Sequence, residues 1–291
     1  MKLEKALAEE LDKSITAQEA DKQYEDGNIT SKFKFQCPDD NCNAPVTCAN
    51  LDRSKHKRKR DPYYKVVGDH SAECNIAKDI EPQKKGSRNT TDIYSDSDEY
   101  IDHAIRLNLQ PPSTKRPESA GKNDGSDSGE SRAKPGNTPD SGKRKIQRSK
   151  TLASLIDAFL ANESHTVQLP EIGVIDIKDL FVEINGQELS ELEDEFRIYY
   201  GKGWIKKRKG GYGFVFANKL KFGELENQPS TYLSDNQIEE GSFKRFKQST
   251  LDKLANNYPK KIFLLSETTP YPNGDFINIW CEGPEYLDYR L

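Results

Sequence analysis

The sequence predicts an α+β protein in which a small Cys/His-rich module and a larger, strand-rich domain with helices are joined by a disordered linker. Three observations support this prediction. Four of the five cysteines fall between Cys37 and Cys74, residues 110–150 lack the apolar side chains of a core, and alternating strand patterns dominate after residue 195. The predicted parts are therefore 1–109, 110–150 and 151–291.

The composition excludes a membrane protein and a single well-filled domain. Hydrophobic residues make up 33% of the 291 residues and charged residues 32%, whereas a typical globular domain is roughly 45–50% apolar. No apolar run approaches the ~18 residues of a spanning helix, and the N-terminal MKLEKALAEELDKS is too charged for a signal peptide. We expect a cytoplasmic protein without a membrane partner and without a disulfide scaffold.

Four stretches show the apolar spacing of amphipathic helices. Residues 1–23 carry an aliphatic side chain at every fourth position from Leu3, and we interpret this stretch as a helix docked on the neighbouring module, with a partner-binding helix as the alternative. The others are 97–109, 152–160 and 243–258. These helices predict the mixed class of the fold.

The predicted linker, residues 110–150, has no aromatic residue and one large aliphatic residue, Ile146. Such a segment buries too little apolar surface to offset its chain entropy, so we expect disorder. Its basic end, Lys143–Lys150, is interpreted either as a phosphate-binding tail or as a solvated linker end.

The cysteine-rich segment has the spacing of metal-ligand pairs. Four residues separate Cys37 from Cys42, three separate His70 from Cys74, and twenty-seven lie between the pairs. Three thiolates and one imidazole make a closed tetrahedral shell, which predicts one structural zinc ion that supplies much of the module's folding free energy. Cys48 and His56 are the alternative ligands, although basic neighbours disfavour a cation at His56.

The order Phe35-x-Cys37, Cys42, Pro62-Tyr63-Tyr64 and His70-x3-Cys74 resembles the N-terminal zinc module of the CoiA-like competence-associated bacterial proteins. The resemblance covers about residues 33–76 and implies a bacterial protein that handles nucleic acid. The chain departs from that family in two ways: its first cysteines are not a C-x-x-C pair, and no nuclease motif follows. The resemblance therefore does not extend to nuclease activity.

A basic segment lies between the two ligand pairs. If zinc closes the module, this segment projects as a loop that suits phosphate contact, and a solvated charged loop is the alternative. Its basic residues are Arg53, Lys55, Lys57, Arg58, Lys59, Arg60 and Lys65. The candidate nucleic-acid contacts among them are Lys57, Arg58, Lys59 and Arg60.

The second domain shows the element order of a five-stranded OB-like barrel, with a helix between the third and fourth strands. The resemblance is in element order only, so another small β-barrel is the alternative. The strands are predicted near 196–206, 211–217, 230–233, 261–265 and 276–281, with a sixth at 286–291. The predicted fold is thus a zinc-stabilised module, a linker and an OB-like or other small β-barrel domain with helices.

Residues 196–223 combine eight basic residues, no acid and interleaved aromatic residues. Basic groups beside exposed rings favour single-stranded nucleic acid, because phosphates neutralise the charge while bases stack on the rings. Alternation predicts that Ile198 and Tyr200 face the core. The outward candidates are Arg197, Tyr199, Trp204, Lys206, Lys207, Arg208, Lys209 and Tyr212. The alternative is a soluble barrel with a charged hairpin tip and its rings in the core.

The acidic stretch 183–195 is expected either to repel phosphate or to dock a basic partner. The sequence shows no Walker loop and no G-x-S-x-G nucleophile, so we predict a non-enzymatic protein. It would bind nucleic acid, single-stranded or without sequence preference. A protein-interaction adapter or regulatory subunit of a bacterial multi-protein system is one alternative. A metal-dependent nuclease using Asp176, Asp179, Glu183 and Lys219 is another.

Overall fold

The computed structural model shows a mixed α+β fold in which sheets dominate. The described residues are 2–78, 93–94, 99–101, 103–110, 148–170, 172–241, 243–255 and 258–291. Within them the α-helices are Ala17–Glu25, Leu152–Leu160, Ile177–Leu180, Asp235–Glu240 and Gln248–Leu254, and residues 75–78 form a further helical turn. The 3₁₀ turns are Lys55–Lys57, Leu189–Glu191, Lys244–Phe246 and Pro284–Tyr286. None of the helices in these ranges is long and apolar enough to span a membrane.

A six-stranded antiparallel sheet holds the cysteine-rich segment. Its strands are β1 (Lys2–Leu3), β2 (Lys5–Ala8), β3 (Lys13–Thr16), β4 (Phe35–Gln36), β5 (Pro45–Ala49) and β6 (Tyr63–Val66). Their order across the sheet is β1-β6-β5-β4-β2-β3. The rings of Phe35 and Tyr64 are buried, with their centroids 5.3 Å apart, so this sheet has a small core of its own.

The helix predicted over residues 1–23 is wrong for most of its length. Residues 2–16 form the first three strands, and the helix begins only at Ala17. The true signal was the two-residue spacing of Ala6 and Ala8, which are both buried. Alanine side chains are small, so their alternation is a weak sequence signal. The strand β2 forms because it pairs with β4, which lies further along the chain.

A four-stranded sheet brings together the two sides of the predicted linker. Its strands are β7 (Ile105–Asn108), β8 (Ser149–Thr151), β9 (Thr166–Leu169) and β10 (Gly173–Asp176), in the order β10-β9-β7-β8. The helix predicted over 97–109 is wrong for the described residues: 99–101 and 103–104 are not helical, and Ile105 and Leu107 are buried at alternate positions of β7. The predicted disorder falls mostly on 111–147, outside the described residues, whereas 149–151 pair with β7.

Eight strands after residue 180 form the largest sheet. They are β11 (Phe181–Glu183), β12 (Arg197–Arg208), β13 (Gly211–Phe216), β16 (Pro229–Ser234), β17 (Lys260–Ser266), β18 (Tyr271–Asn273), β19 (Phe276–Asn278) and β20 (Leu287–Arg290). Between them, β14 (Leu220–Phe222) and β15 (Leu225–Asn227) form a separate hairpin. The order is β18-β19-β16-β13-β12-β17-β20, with β11 also beside β12. Since β18 and β20 end this order, the closure of an OB-like barrel is not found among the described strands.

The sequence patterns located this part of the fold well. The six predicted strands overlap β12, β13, β16, β17, β19 and β20. The helix predicted over 152–160 is confirmed. The helix predicted over 243–258 is shorter, because the described chain there forms a 3₁₀ turn at Lys244–Phe246 followed by the helix Gln248–Leu254.

Candidate metal centre and basic sheet face

The first pair of potential metal ligands lies in a tight loop between β4 and β5. Cys37 directly follows β4, and its N–H donates a hydrogen bond of 2.9 Å to the carbonyl oxygen of Ala44. Within this loop the N–H of Cys42 donates to the carbonyl oxygen of Asp39, also at 2.9 Å. These backbone bonds bring the two cysteines to one side of the loop.

The second pair follows β6 and is tied to the first. The N–H of Cys74 donates to the carbonyl oxygen of Ser71 at 3.0 Å. The carboxylate of Asp39 accepts the N–H groups of Asn41 and Asn75, each at 2.9 Å. Both bonds hold the pKa of Asp39 below its ordinary value, since they favour the charged form. One carboxylate thus connects the two loops that carry the ligands.

The four predicted ligands converge. The Sγ atoms of Cys37 and Cys74 are 3.8 Å apart, and Nδ1 of His70 lies 3.3 Å from the Sγ atoms of both Cys42 and Cys74. All four ligand atoms lie within 4.8 Å of one another, and the three cysteines are buried. Three sulfurs and one ring nitrogen in this arrangement can hold a metal ion.

The protein environment favours one thiolate in this cluster more than several. Burial opposes ionisation of Cys42, but the N–H groups of Ala44 and Ser71, together with His70, lower the pKa of its thiol to about 6. Burial raises the pKa of Cys37 to about 12, and the two neighbouring cysteines add to the effect. The same cluster thus holds one thiol whose charged form is favoured and one whose charged form is opposed, and a bound cation would favour the charged form of Cys37.

The alternative ligands lie outside this cluster. Cys48 is buried in β5 opposite Tyr64, and burial raises the pKa of its thiol far above the ordinary value. His56 lies exposed in the 3₁₀ turn Lys55–Lys57. Neither joins the group of four metal-ligating side chains found among the described residues.

Much of the charge on the basic segment is neutralised within the chain. The side chain of Arg58 is only 6% exposed, and its guanidinium donates to both carboxylate oxygens of Asp21 at 2.8 and 2.7 Å. The Arg60 guanidinium lies 4.1 Å from the ring centroid of Tyr63. Among the four candidate nucleic-acid contacts of this segment, Lys57 and Lys59 are exposed, and Lys57 lies in the turn Lys55–Lys57. The expectation of a wholly projecting loop is wrong for Arg58, since this side chain is used to hold the module together.

The acidic stretch docks on this basic segment. Lys59 lies 3.2 Å from Glu195, and Arg53 lies 3.4 Å from Glu193. The sequence predicts that the acidic stretch either repels phosphate or docks a basic partner. In the structure, basic residues of the same chain contact it. The N-terminal sheet and the largest sheet meet through these contacts.

Three of the predicted outward residues are buried instead. Tyr199 is 0%, Tyr212 1% and Arg197 6% exposed. The predicted outward positions assume that one face of this strand is exposed to solvent along its whole length. That assumption is wrong for the first half of β12, because β12 is a central strand with β11, β13 and β17 beside it. Arg197 pairs with acids of the acidic stretch, and the hydroxyl of Tyr212 donates to Asp252 at 2.7 Å.

The second half of β12 does have an exposed face, which we call the basic face. Lys202, Trp204, Lys206 and Arg208 alternate along this half of the strand with buried Gly203 and Ile205. Register adds residues from neighbouring strands, because directly opposite residues share a face. Lys261 pairs with Lys202, and Tyr232 pairs with Gly213, which itself pairs with Lys206. We define the basic face by Lys202, Trp204, Lys206, Arg208, Gly213, Tyr232 and Lys261; Val215, opposite Trp204, and Gly211, opposite Arg208, lie on the same side of the sheet.

Two of the remaining candidates lie at the hairpin tip. Lys207 points away from the basic face and pairs with Asp252 at 2.6 Å. Lys209 is exposed in the turn, where its carbonyl oxygen accepts the hydroxyl of Tyr232 at 3.1 Å. Sequence reasoning missed Tyr232 and Lys261 because only the strand register places them on the same face of the sheet as Trp204.

The helix Leu152–Leu160 packs over the first half of β12 and so limits the basic face to the second half. Phe159 of the helix Leu152–Leu160 stacks on Phe181 at 3.9 Å and contacts Tyr200 at 5.3 Å between ring centroids. Tyr200 therefore belongs to a packed aromatic cluster, and the exposed part of the strand begins at Lys202.

The acids of the nuclease alternative are not brought together. Asp176, Asp179 and Glu183 form no group of metal-ligating side chains within the part of the chain that the structure describes. Comparisons with protein-family models, curated proteins and solved structures found no match for this chain.

Proposed function

We propose that this protein binds single-stranded nucleic acid through the basic face, without sequence preference, and that the N-terminal module is held by one structural zinc ion. A single observation carries the first part. Lys202, Lys206 and Arg208 share a strand face with Trp204, Lys261 lies opposite Lys202, and Tyr232 lies across β13 from Lys206. Within the described ranges none of these four cations forms an ion pair with a carboxylate.

Unpaired cations around partly exposed rings suit a nucleic-acid strand. Phosphates supply the missing negative charge, and release of their counterions favours binding. Bases stack on Trp204 and Tyr232, of which Tyr232 is 44% exposed. Stacking on a ring accepts any base, so we expect little sequence preference.

The basic segment of the module is a weaker candidate surface. Arg58 and Lys59 already contact carboxylates of the same chain, so a phosphate would have to displace Asp21 or Glu195. The cations of the basic face have no such competitor. Because its cations are not already paired with carboxylates, the basic face of the largest sheet is the better candidate for binding nucleic acid.

The proposed zinc ion fits the distances in the cluster. Zn–S bonds of about 2.3 Å and Zn–N bonds of about 2.0 Å in a tetrahedron place two sulfurs about 3.8 Å apart and a sulfur and a nitrogen about 3.5 Å apart. The protein has 3.8 Å between Cys37 and Cys74 and 3.3 Å from His70 to each neighbouring sulfur. Four protein ligands leave no open position for a substrate, so the ion has a structural role.

Fluorescence anisotropy with a labelled twelve-nucleotide oligo-dT strand tests the nucleic-acid part. We expect the unaltered protein to bind with a salt slope of about −3, since each of four phosphates contributes about −0.7. Lys206→Glu combined with Arg208→Glu should weaken binding at least tenfold. Lys178→Glu combined with Lys221→Glu is the matched control, because it also reverses two charges, at exposed residues outside the largest sheet.

Two results contradict the proposal. One is no binding by the unaltered protein, which would favour the adapter alternative. The other is equal loss of affinity in the control and in the variant of the basic face, which would show that only the net charge of the protein matters.

A further inference from the structure

The hairpin β12–β13 contains glycines that the backbone requires. A Cβ atom on Gly203 would lie 2.5 Å from the carbonyl oxygen of Val215, and one on Gly211 would lie 2.1 Å from that of Leu233. No side chain fits at such distances. Packing within the protein therefore explains both glycines.

Gly213 has no such explanation. Its φ lies outside the positive region, and an added Cβ would meet only Cγ and Nε of Arg208, at 3.7 and 3.8 Å, and the carbonyl oxygen of Lys206, at 3.9 Å. These are ordinary van der Waals distances. Glycine in the interior of a strand weakens it, and where the fold does not require the glycine, it often marks a place where a ligand approaches the backbone.

The position of Gly213 on the sheet indicates what kind of ligand would approach the backbone there. It lies on the basic face, between Lys206 on β12 and Tyr232 on β16. Trp204 is the diagonal neighbour on β12. The two flanking strands are about 10 Å apart, twice the strand spacing of about 4.8 Å. This gap is wide enough for one planar base, and its floor is the backbone of Gly213, which is buried beneath the side chain of Arg208.

The group that covers the gap is a flexible one. Among the atoms nearest to a Cβ built at Gly213, the side-chain atoms belong to Arg208, which forms no ion pair with the described acids. A guanidinium on a long side chain can leave the floor and stack on a base or contact its phosphate. An arriving base therefore displaces no packed core residue.

We propose that Gly213 forms the floor of a base-binding subsite, in which one base of the strand lies against β13 between Trp204 and Tyr232, while Arg208 contacts that nucleotide. This inference rests on the proposed function and adds to it where a base sits and why the strand carries a glycine there.

Gly213→Val tests the subsite by filling the gap without changing any charge. Two labelled twelve-nucleotide strands are compared: oligo-dT and an abasic strand with the same phosphates. We expect the affinity for oligo-dT to fall about tenfold and that for the abasic strand to stay within twofold, because loss of one stacked base is worth on the order of a tenfold change. The melting temperature should stay equal or rise, since valine favours strands.

Gly213→Ala provides a second variant that the structure accommodates without a close contact. It should give a smaller loss on oligo-dT and none on the abasic strand. If the unaltered protein binds neither strand, the proposed function and the subsite both fail. If it binds oligo-dT and both variants bind it equally well, or if both strands lose affinity together, only the subsite is wrong.

Discussion

The ammonium of Lys32 lies 2.8 Å from the carboxylate of Asp194, which is 162 residues further along the chain, and both side chains are buried. The same carboxylate accepts the N–H of Asn50 at 3.1 Å and the hydroxyl of Thr269 at 2.8 Å. Asp194 therefore connects the N-terminal sheet, the acidic stretch and the loop after β17.

Asp194→Asn should destabilise the protein strongly. It leaves the buried ammonium of Lys32 with Asp52, at 2.9 Å, as its remaining carboxylate partner among the described residues. Removing one partner of a buried ion pair costs about 3–5 kcal/mol of unfolding free energy, measured by urea denaturation. Asp157→Asn is the control, because Asp157 is 67% exposed in its pair with Arg290. This control should lower the unfolding free energy by less than about 1 kcal/mol. Similar losses for the two variants would contradict the inference that the buried pair stabilises the protein more than the exposed one.

The same pair predicts how stability depends on pH. Burial opposes the charge on Asp194, but Lys32 together with the hydrogen bonds from Asn50 and Thr269 lowers the pKa of the carboxyl below 3.8. A lowered folded-state pKa contributes stability that is present above pH 3.8 and is lost as the pH falls through the folded value. Burial likewise opposes the charge on Lys32, yet Asp194 and Asp52 raise its pKa above 10.5. That contribution is present below pH 10.5 and is lost as the pH rises through the folded value.

Urea unfolding measured from pH 7 down to pH 3 checks the acid side. The unfolding free energy of the unaltered protein should decline below about pH 4. Asp194→Asn should show a shallower decline, because the residue that takes up the proton is gone. An identical acid slope in the two proteins would show that other carboxyl groups cause the decline.

Metal analysis should find one zinc ion per chain. Cys42→Ser removes a ligand and should abolish stoichiometric zinc and lower the melting temperature, because metal binding contributes folding free energy. Cys48→Ser is the matched control, since Cys48 is equally a buried cysteine but lies outside the cluster. It should keep its zinc. A purified, folded protein without metal, or one that loses zinc only in Cys48→Ser, would contradict the ligand assignment.

Arg58→Gln separates a structural role from a nucleic-acid contact. Loss of the two hydrogen bonds to Asp21 should lower the unfolding free energy by about 1.5–3 kcal/mol. The affinity of the folded variant for oligo-dT should stay within twofold. A tenfold loss of affinity at unchanged stability would instead place Arg58 on the nucleic-acid surface.

Trp204 offers a direct optical test of stacking. The chain has two tryptophans, so Trp280→Phe leaves Trp204 as the reporter. Its fluorescence should be quenched when oligo-dT binds, because a base stacks on the indole. The abasic strand should cause little quenching at saturation. Equal quenching by the two strands would show that Trp204 senses phosphate or a change of the protein instead of a base.

Features that depend on neighbours in the chain were predictable from the sequence. The spacing of Cys37, Cys42, His70 and Cys74 identified the cluster, because each pair sits in a single turn closed by its own backbone. The helix at 152–160 and most strands of the largest sheet were also located, since long apolar periodicities dominate there. The strands of residues 2–16 were missed because their pattern is carried by small alanines.

Local patterns were enough to name the candidate side chains: the three sulfurs and the imidazole, the lysines and arginines, and the rings beside them. The packing of the sheets was needed to show which of them face solvent and which are already paired. Arg58 is paired with Asp21, Tyr199 is buried within a central strand, and Tyr232 lies across β13 from Lys206. Exposure and charge pairing depend on segments that are distant in the chain and meet only when the sheets pack, so no local pattern can encode them.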